Sequence, residues 1–197
     1  MSIETQFNQE MENKIMTVKD LFNTQEIEQR NLYRAKIIQN DTNRQNLPKW
    51  VIGNLQINRT LIDSTKKIHT TYCIQPVNYT QTTAPSIQID TLCDYSGMTD
   101  TNNIPIWEHD IVEFLGQIGT IVYTAGCFGI AFKNAIDWDN ISEKIPEITG
   151  CQNRLYACCN DNFISLWEIY WNFNEIDDTL TTVKIIGNTF DNPELLA

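Results

Sequence analysis

The chain has 197 residues, 42% of them hydrophobic and 20% charged, with a formal net charge of −11. This length can bury a core without metal or disulfide staples, and no stretch approaches the apolar run that crosses a bilayer. The acid excess argues against recognition of a phosphate backbone, which needs a Lys/Arg surface. It favours solubility instead.

In chain order, residues 1–33 stand apart. Phe7, Met11, Ile15 and Val18 recur at helical spacing, Leu21 and Phe22 follow, and the segment lacks Gly and Pro. This pattern predicts an amphipathic α-helical extension that docks on the core or on a partner. The first residues, MSIETQFNQEMENK, lack the basic and apolar regions of a secretory leader. The expected compartment is therefore the cytoplasm.

From residue 34 the pattern turns to strands. RAKIIQN, WVIGNLQI, IHTTYCIQPV and SIQIDTL are rich in β-branched residues and are separated by the polar stretches 58–67 and 78–86, which read as loops. IPIWEHDIVEFL reads as one strand, with Pro105 near its start. GQIGTIVYTAGCFGIAF predicts two strands around an Ala125-Gly126 turn. Residues 134–150 read as a long connection, 155–173 is aromatic and ambiguous between helix and strand, and TTVKIIGNTFDNPELLA closes as strand, turn and tail. Many short strands between turn signals predict a mainly β fold, either a small barrel or paired sheets.

The six cysteines are Cys73, Cys93, Cys127, Cys151, Cys158 and Cys159. Their spacing lacks the short C-x2-C pairs of a zinc site, so they read as reduced, buried thiols. No metal or cofactor is expected. Phosphate-binding glycine loops and the GxSxG elbow are absent.

The stretch 91–112, TLCDYSGMTDTNNIPIWEHDIV, concentrates the polar chemistry. Asp100 and Asn102 match the first and third places of a calcium loop, but Pro105 and Ile111 occupy its glycine and glutamate places. On a continuous strand, Glu108 and Asp110 would share one face and Trp107, His109 and Ile111 the other. Glu108 and Asp110 could then act as an acid/base pair or hold a hard cation. Equally, they could be a solvated face or anchors for the preceding turn. The candidate binding residues are Asp100, Asn102, Glu108, His109 and Asp110, and no catalytic set is assigned.

The same stretch resembles the YopX family of phage and prophage proteins. Family members carry T-(I/V)-G-Q-(Y/F)-(T/S)-G-L-x-D-x-N-G-x-x-I-(Y/F)-E-G-D-(I/V)-V. Here Thr91, Tyr95, Ser96, Gly97, Met98, Asp100, Asn102, Ile106, Trp107, Glu108, Asp110, Ile111 and Val112 follow it. The closing run from Ile185 to Leu196 and the early Trp50-Val51-Ile52-Gly53-Asn54-Leu55 are similar to two further family motifs. Together they carry the resemblance over residues 34–197. Cys93-Asp94 replaces Gly-Gln, Asn103 stands at a turn glycine and His109 at the glycine of E-G-D.

The resemblance implies a small β-rich domain of SH3-like barrel character, encoded by a phage or prophage, without an established catalytic activity. It implies that Asp100 and Asn102 shape a loop, that Glu108 and Asp110 anchor the following strand, and that Asn188 and Asn192 shape the final turn. The leading expectation is a non-enzymatic accessory protein in the host cytoplasm that binds a host or phage protein, or a second copy of itself. The alternatives are a small-ligand or hydrolytic site at Glu108 and Asp110, and nucleic-acid binding through Tyr33, Lys36, Arg44, Lys49, Trp50 and Arg59. Net charge weighs against nucleic acid.

Overall fold

Antiparallel hairpins dominate the computed structural model, which describes residues 32–38, 49–62, 67–76, 84–144, 159–172 and 179–197. The chain divides between Asp94 and Tyr95 into two compact units. Nearly all of the expected helical extension lies outside the described residues; Tyr33, placed at its end, already opens the first strand.

In the first unit, β1 (Tyr33–Lys36) pairs with β2 (Trp50–Ile62), and β2 with β3 (Lys67–Pro76). The other edge of β1 takes Cys93 and Asp94, the start of β4 (Cys93–Thr99). Ala35, Ile37, Val51, Ile74 and Ile87 form the core of this unit. Two expectations change. Most of 58–67 is strand rather than loop, because β2 runs to Ile62 and β3 resumes at Lys67. Thr60 and Ile57 suit a strand backbone, but side chains exposed on both faces of a ribbon look like a loop in composition. The expected strand 86–92 is reduced to bridges at Ser86 and Ile87, followed by a 3-10 turn at Ile89–Thr91. There the Thr91 hydroxyl donates to the Gln88 carbonyl at 2.7 Å and accepts the Lys36 N–H at 2.9 Å. A side chain that bonds nearby backbone draws the chain out of a ladder.

The second unit begins with the remainder of β4, which pairs with β5 (Pro105–Trp107). Its main sheet has six strands in the order β11-β6-β7-β8-β10-β9. These are β6 (Asp110–Phe114), β7 (Gln117–Thr124), β8 (Cys127–Phe132), β9 (Cys159–Asn160), β10 (Phe163–Ser165) and β11 (Val183–Asn188). The ambiguous aromatic stretch resolves into β9, β10 and a short helix. Two helices, α1 (Trp138–Lys144) and α2 (Leu166–Asn172), accompany the sheet. The barrel expectation is corrected: β11 and β9 end the strand order, so among the described residues no barrel closes. The reason lies in how the apolar face is covered. Val112, Phe114, Ile121, Ile130 and Phe132 of the sheet pack with Ile136, Ile141 of α1, Leu166 and Ile169 of α2, and Leu180. Helices supply the second layer that a closed barrel would make from its own strands.

The hairpin turns follow their local chemistry. Leu115-Gly116 has φ values of 50° and 87°, and Ala125-Gly126 has 50° and 84°. Positive φ at both corners suits the right-handed twist of the flanking strands, and it favours Asn-Gly. The Ala125-Gly126 turn is where the sequence placed it, but Ala125 holds a left-handed conformation that disfavours a side chain with a Cβ. Ala125 is exposed. Ala125→Asn should stabilise the chain by about 0.5–1 kcal/mol, read as a raised urea midpoint with unchanged slope. A lowered midpoint would contradict the turn assignment.

Candidate functional site

The turn from β4 to β5 is organised by one carboxylate. Asp100 is 0% exposed. Its Oδ1 accepts the N–H of Asn102 at 2.8 Å and of Ile104 at 2.9 Å. Its Oδ2 accepts the N–H of Ile185, in β11, at 3.0 Å, and the Asn102 side-chain amide at 3.5 Å. Two backbone bonds close the loop: Asp100 N–H to the Ile104 carbonyl and Asn103 N–H to the Asp100 carbonyl, both 2.8 Å. Asn103 has φ 58°, a conformation asparagine tolerates where glycine is common. The Thr101 N–H adds a bond to the Val183 carbonyl at 2.9 Å. The loop is thus tied to β11 by a side chain and by backbone.

The expected strand 104–115 breaks into β5 and β6 at Glu108 and His109. This overturns the shared strand face for Glu108 and Asp110. Asp110 is 1% exposed, and its Oδ2 accepts the Trp107 N–H at 2.8 Å across the turn. Glu108 is half-buried at the corner. His109 keeps the left-handed angle of the glycine it replaces, with φ 68°. Its N–H reaches the Ile121 carbonyl at 2.9 Å, its carbonyl accepts the Thr189 N–H at 3.0 Å, and its ring meets Phe190 edge-on with centroids 5.1 Å apart. The backbone bonds on both sides and the ring contact offset the strain of a side chain at that angle.

The closing motif forms the adjoining turn. Asn188 Oδ1 accepts the N–H groups of Phe190 at 3.1 Å and Asp191 at 3.0 Å. The Asn188 N–H in turn donates to Asn192 Oδ1 at 3.3 Å. A Cβ on Gly187 would come within 2.8 Å of that same oxygen, so the glycine leaves room for the Asn192 side chain.

Among the described residues, the five candidates divide between two neighbouring turns. Asp100 and Asn102 meet within one loop, Asp110 serves the next turn, and His109 packs on Phe190. A catalytic acid/base pair needs both carboxylates within reach of substrate, and burial of Asp100 and Asp110 leaves Glu108 as the accessible acid of the three. A cavity of about 620 Å³ in this unit is lined by residues such as Gln117, Gly119, Phe132, Lys133 and Leu196, and by none of the five. Among the described residues no three His, Cys, Asp or Glu side chains are grouped to hold a metal. Cys73 and Cys93 are buried thiols and Cys127 is half-buried; Cys151 and Cys158 lie outside the described residues. Among the described residues no helix is long and apolar enough to cross a membrane.

The basic candidates lie in the first unit. The Arg34 guanidinium carbon is 4.8 Å and the Lys36 ammonium 5.4 Å from the Trp50 ring centroid. Lys49 and Arg59 are exposed, and Arg44 lies outside the described residues.

The turns that hold Asp100, Asp110 and Asn188 are the motif positions of one family, and the family model of YopX protein matches residues 9–197. The chain belongs to the YopX family. The match starts ahead of residue 34, where the recognisable motifs begin, so the family relationship takes in most of the segment read as an extension. A comparison with curated proteins returns no match. Within this YopX-family chain, sequence reasoning missed the long-range partners of the motif: the Ile185 N–H for Asp100 and the Thr189 N–H for the His109 carbonyl.

Two outcomes check this site. Asp100→Ala leaves the amides of Asn102, Ile104 and Ile185 without their acceptor and should cost about 2–4 kcal/mol in urea unfolding. Glu108→Gln should stay within about 0.5 kcal/mol of the parent. Equal stability of the Asp100 variant and the parent would remove the anchor. At the second turn, His109→Gly exchanges strain for a lost ring contact and should lie within about 1 kcal/mol of the parent, whereas His109→Val, β-branched at positive φ, should cost about 2 kcal/mol or more.

Proposed function

We propose that this YopX-family chain is a phage- or prophage-encoded accessory protein that works in the host cytoplasm as a non-enzymatic binding module for a host or phage protein. The observation that carries the reading is the use of the motif acids. Asp100 spends both oxygens on backbone N–H groups, and Asp110 caps a turn while buried. Carboxylates so engaged build a scaffold, and a scaffold leaves function to the surface around it. Net charge of −11 suits a protein partner better than a nucleic acid.

The test is capture of the tagged protein from infected host cells, beside an Asn102→Ala/Glu108→Ala variant. Both substituted side chains lie outside the core. A stoichiometric protein partner, rebuilt from purified components and retained by the variant, is the expected result. A small molecule that co-purifies with the parent and not with the variant would overturn the reading in favour of a ligand site at Glu108.

A further inference from the structure

The helix α2 carries two tryptophans that stay largely exposed. Ser165 opens it: the buried hydroxyl accepts the Glu168 N–H at 3.0 Å, in the Ser-x-x-Glu spacing of a capping box. Leu166 and Ile169 are 1% and 0% exposed and belong to the core, with Tyr170 packed against it. Trp167 and Trp171, one helical turn apart, are instead 54% and 62% exposed.

The three rings form one surface. Trp167 and Tyr170 stack at 5.5 Å with planes 9° apart, and Trp171 stands edge-on to both at 5.7 Å and 5.6 Å. Single exposed apolar residues are ordinary. Two exposed tryptophans, held rigid by a stacked tyrosine that the core fixes from below, are a different object. Such side chains offer large contact area at low entropy cost, and they dominate binding energy where partners bury them.

Charge selects the partner. Glu168 lies in the helix between the two tryptophans, Asp161 lies just ahead of β10, and the described residues 159–172 hold neither Lys nor Arg. An acidic, base-free stretch repels phosphate and favours cations. Indole faces attract cations, and a guanidinium also stacks flat on them. The molecule uses this contact internally, where Arg34 lies over Trp50.

We propose that the Trp167–Tyr170–Trp171 face of α2 docks a basic, arginine-bearing segment of a protein partner. The inference rests on the binding-module reading and gives that module its surface. Arginine side chains stack on the two indoles, and Glu168 together with the net charge of −11 draws the segment in.

The test uses the full chain at 150 mM salt and two short peptides, each with three arginines or three lysines spaced by serines. Tryptophan emission and calorimetry report binding. The parent should favour the arginine peptide over its lysine twin by about fivefold or more. Trp167→Ala/Trp171→Ala should weaken the arginine peptide by about tenfold or more and abolish the preference. Trp171→Phe should keep most of the binding, and circular dichroism checks that each variant is folded. Equal binding of both peptides, by parent and double variant alike, would reduce the effect to net charge and overturn the proposal. So would retention of single-stranded DNA on this face, or a dimer of the parent that the double variant loses, which would make the face a contact between two copies. A protein partner that the double variant still captures would sink this surface and leave the binding-module reading standing.

Discussion

A single buried carboxylate, Asp100, ties together two parts of the second unit that the chain itself keeps far apart. It accepts two amides from its own turn and one from β11. A turn carboxylate that bonds only its own loop would shape the loop and nothing more. The third amide makes it a clamp. Thr101 and Leu180 add backbone bonds to the same junction, at 2.9 Å and 2.8 Å. With β11 in place, Asn188 reaches Asp110 in the ladder and the closing turn reaches His109. Each of the three motif turns therefore depends on the position of the others.

This coupling explains why a polar motif can look like an active site and act as architecture. Asp, Asn and Glu clustered within about ten residues are what a hydrolytic or cation-binding centre needs. They are equally what a loop needs to satisfy its backbone without a ladder. Asp100 and Asp110 are both shut from solvent, and Asp100 takes three backbone N–H groups, which suits the second use.

Much of the fold was legible because hairpin residues announce themselves. Alternation in β7 and β8 and the glycine after Ala125 were sufficient to place that hairpin. Asn103 could be marked as a left-handed position from its place in the family motif; His109, a poor substitute for glycine there, holds a positive φ all the same. What escaped notice was decided by tertiary contacts. The break at Glu108 and His109 looks like continuous strand because its flanks are apolar and β-branched. The ribbon beyond Ile57 looks like loop because its side chains are exposed. The barrel failed because sequence pattern shows that a face is apolar, not whether strands or helices will cover it. In the candidate site, the residues were legible and their roles as turn anchors were one of two open readings. The partner amide of Asp100, 85 residues on, carries no side-chain signal at all.

That separation also sets an order of events. The hairpins β6–β7 and β7–β8 close over short turns and can form as soon as their residues leave the ribosome. The clamp cannot, because its last donor is made long after its acceptor. Until β11 arrives, Asp100 stays hydrated, one edge of β6 stays unpaired and part of the core lacks Val183. Closing so long a loop is entropically slow. The second unit is therefore complete only once β11 has been made, and a nascent chain stalled before β11 presents an open edge of β6.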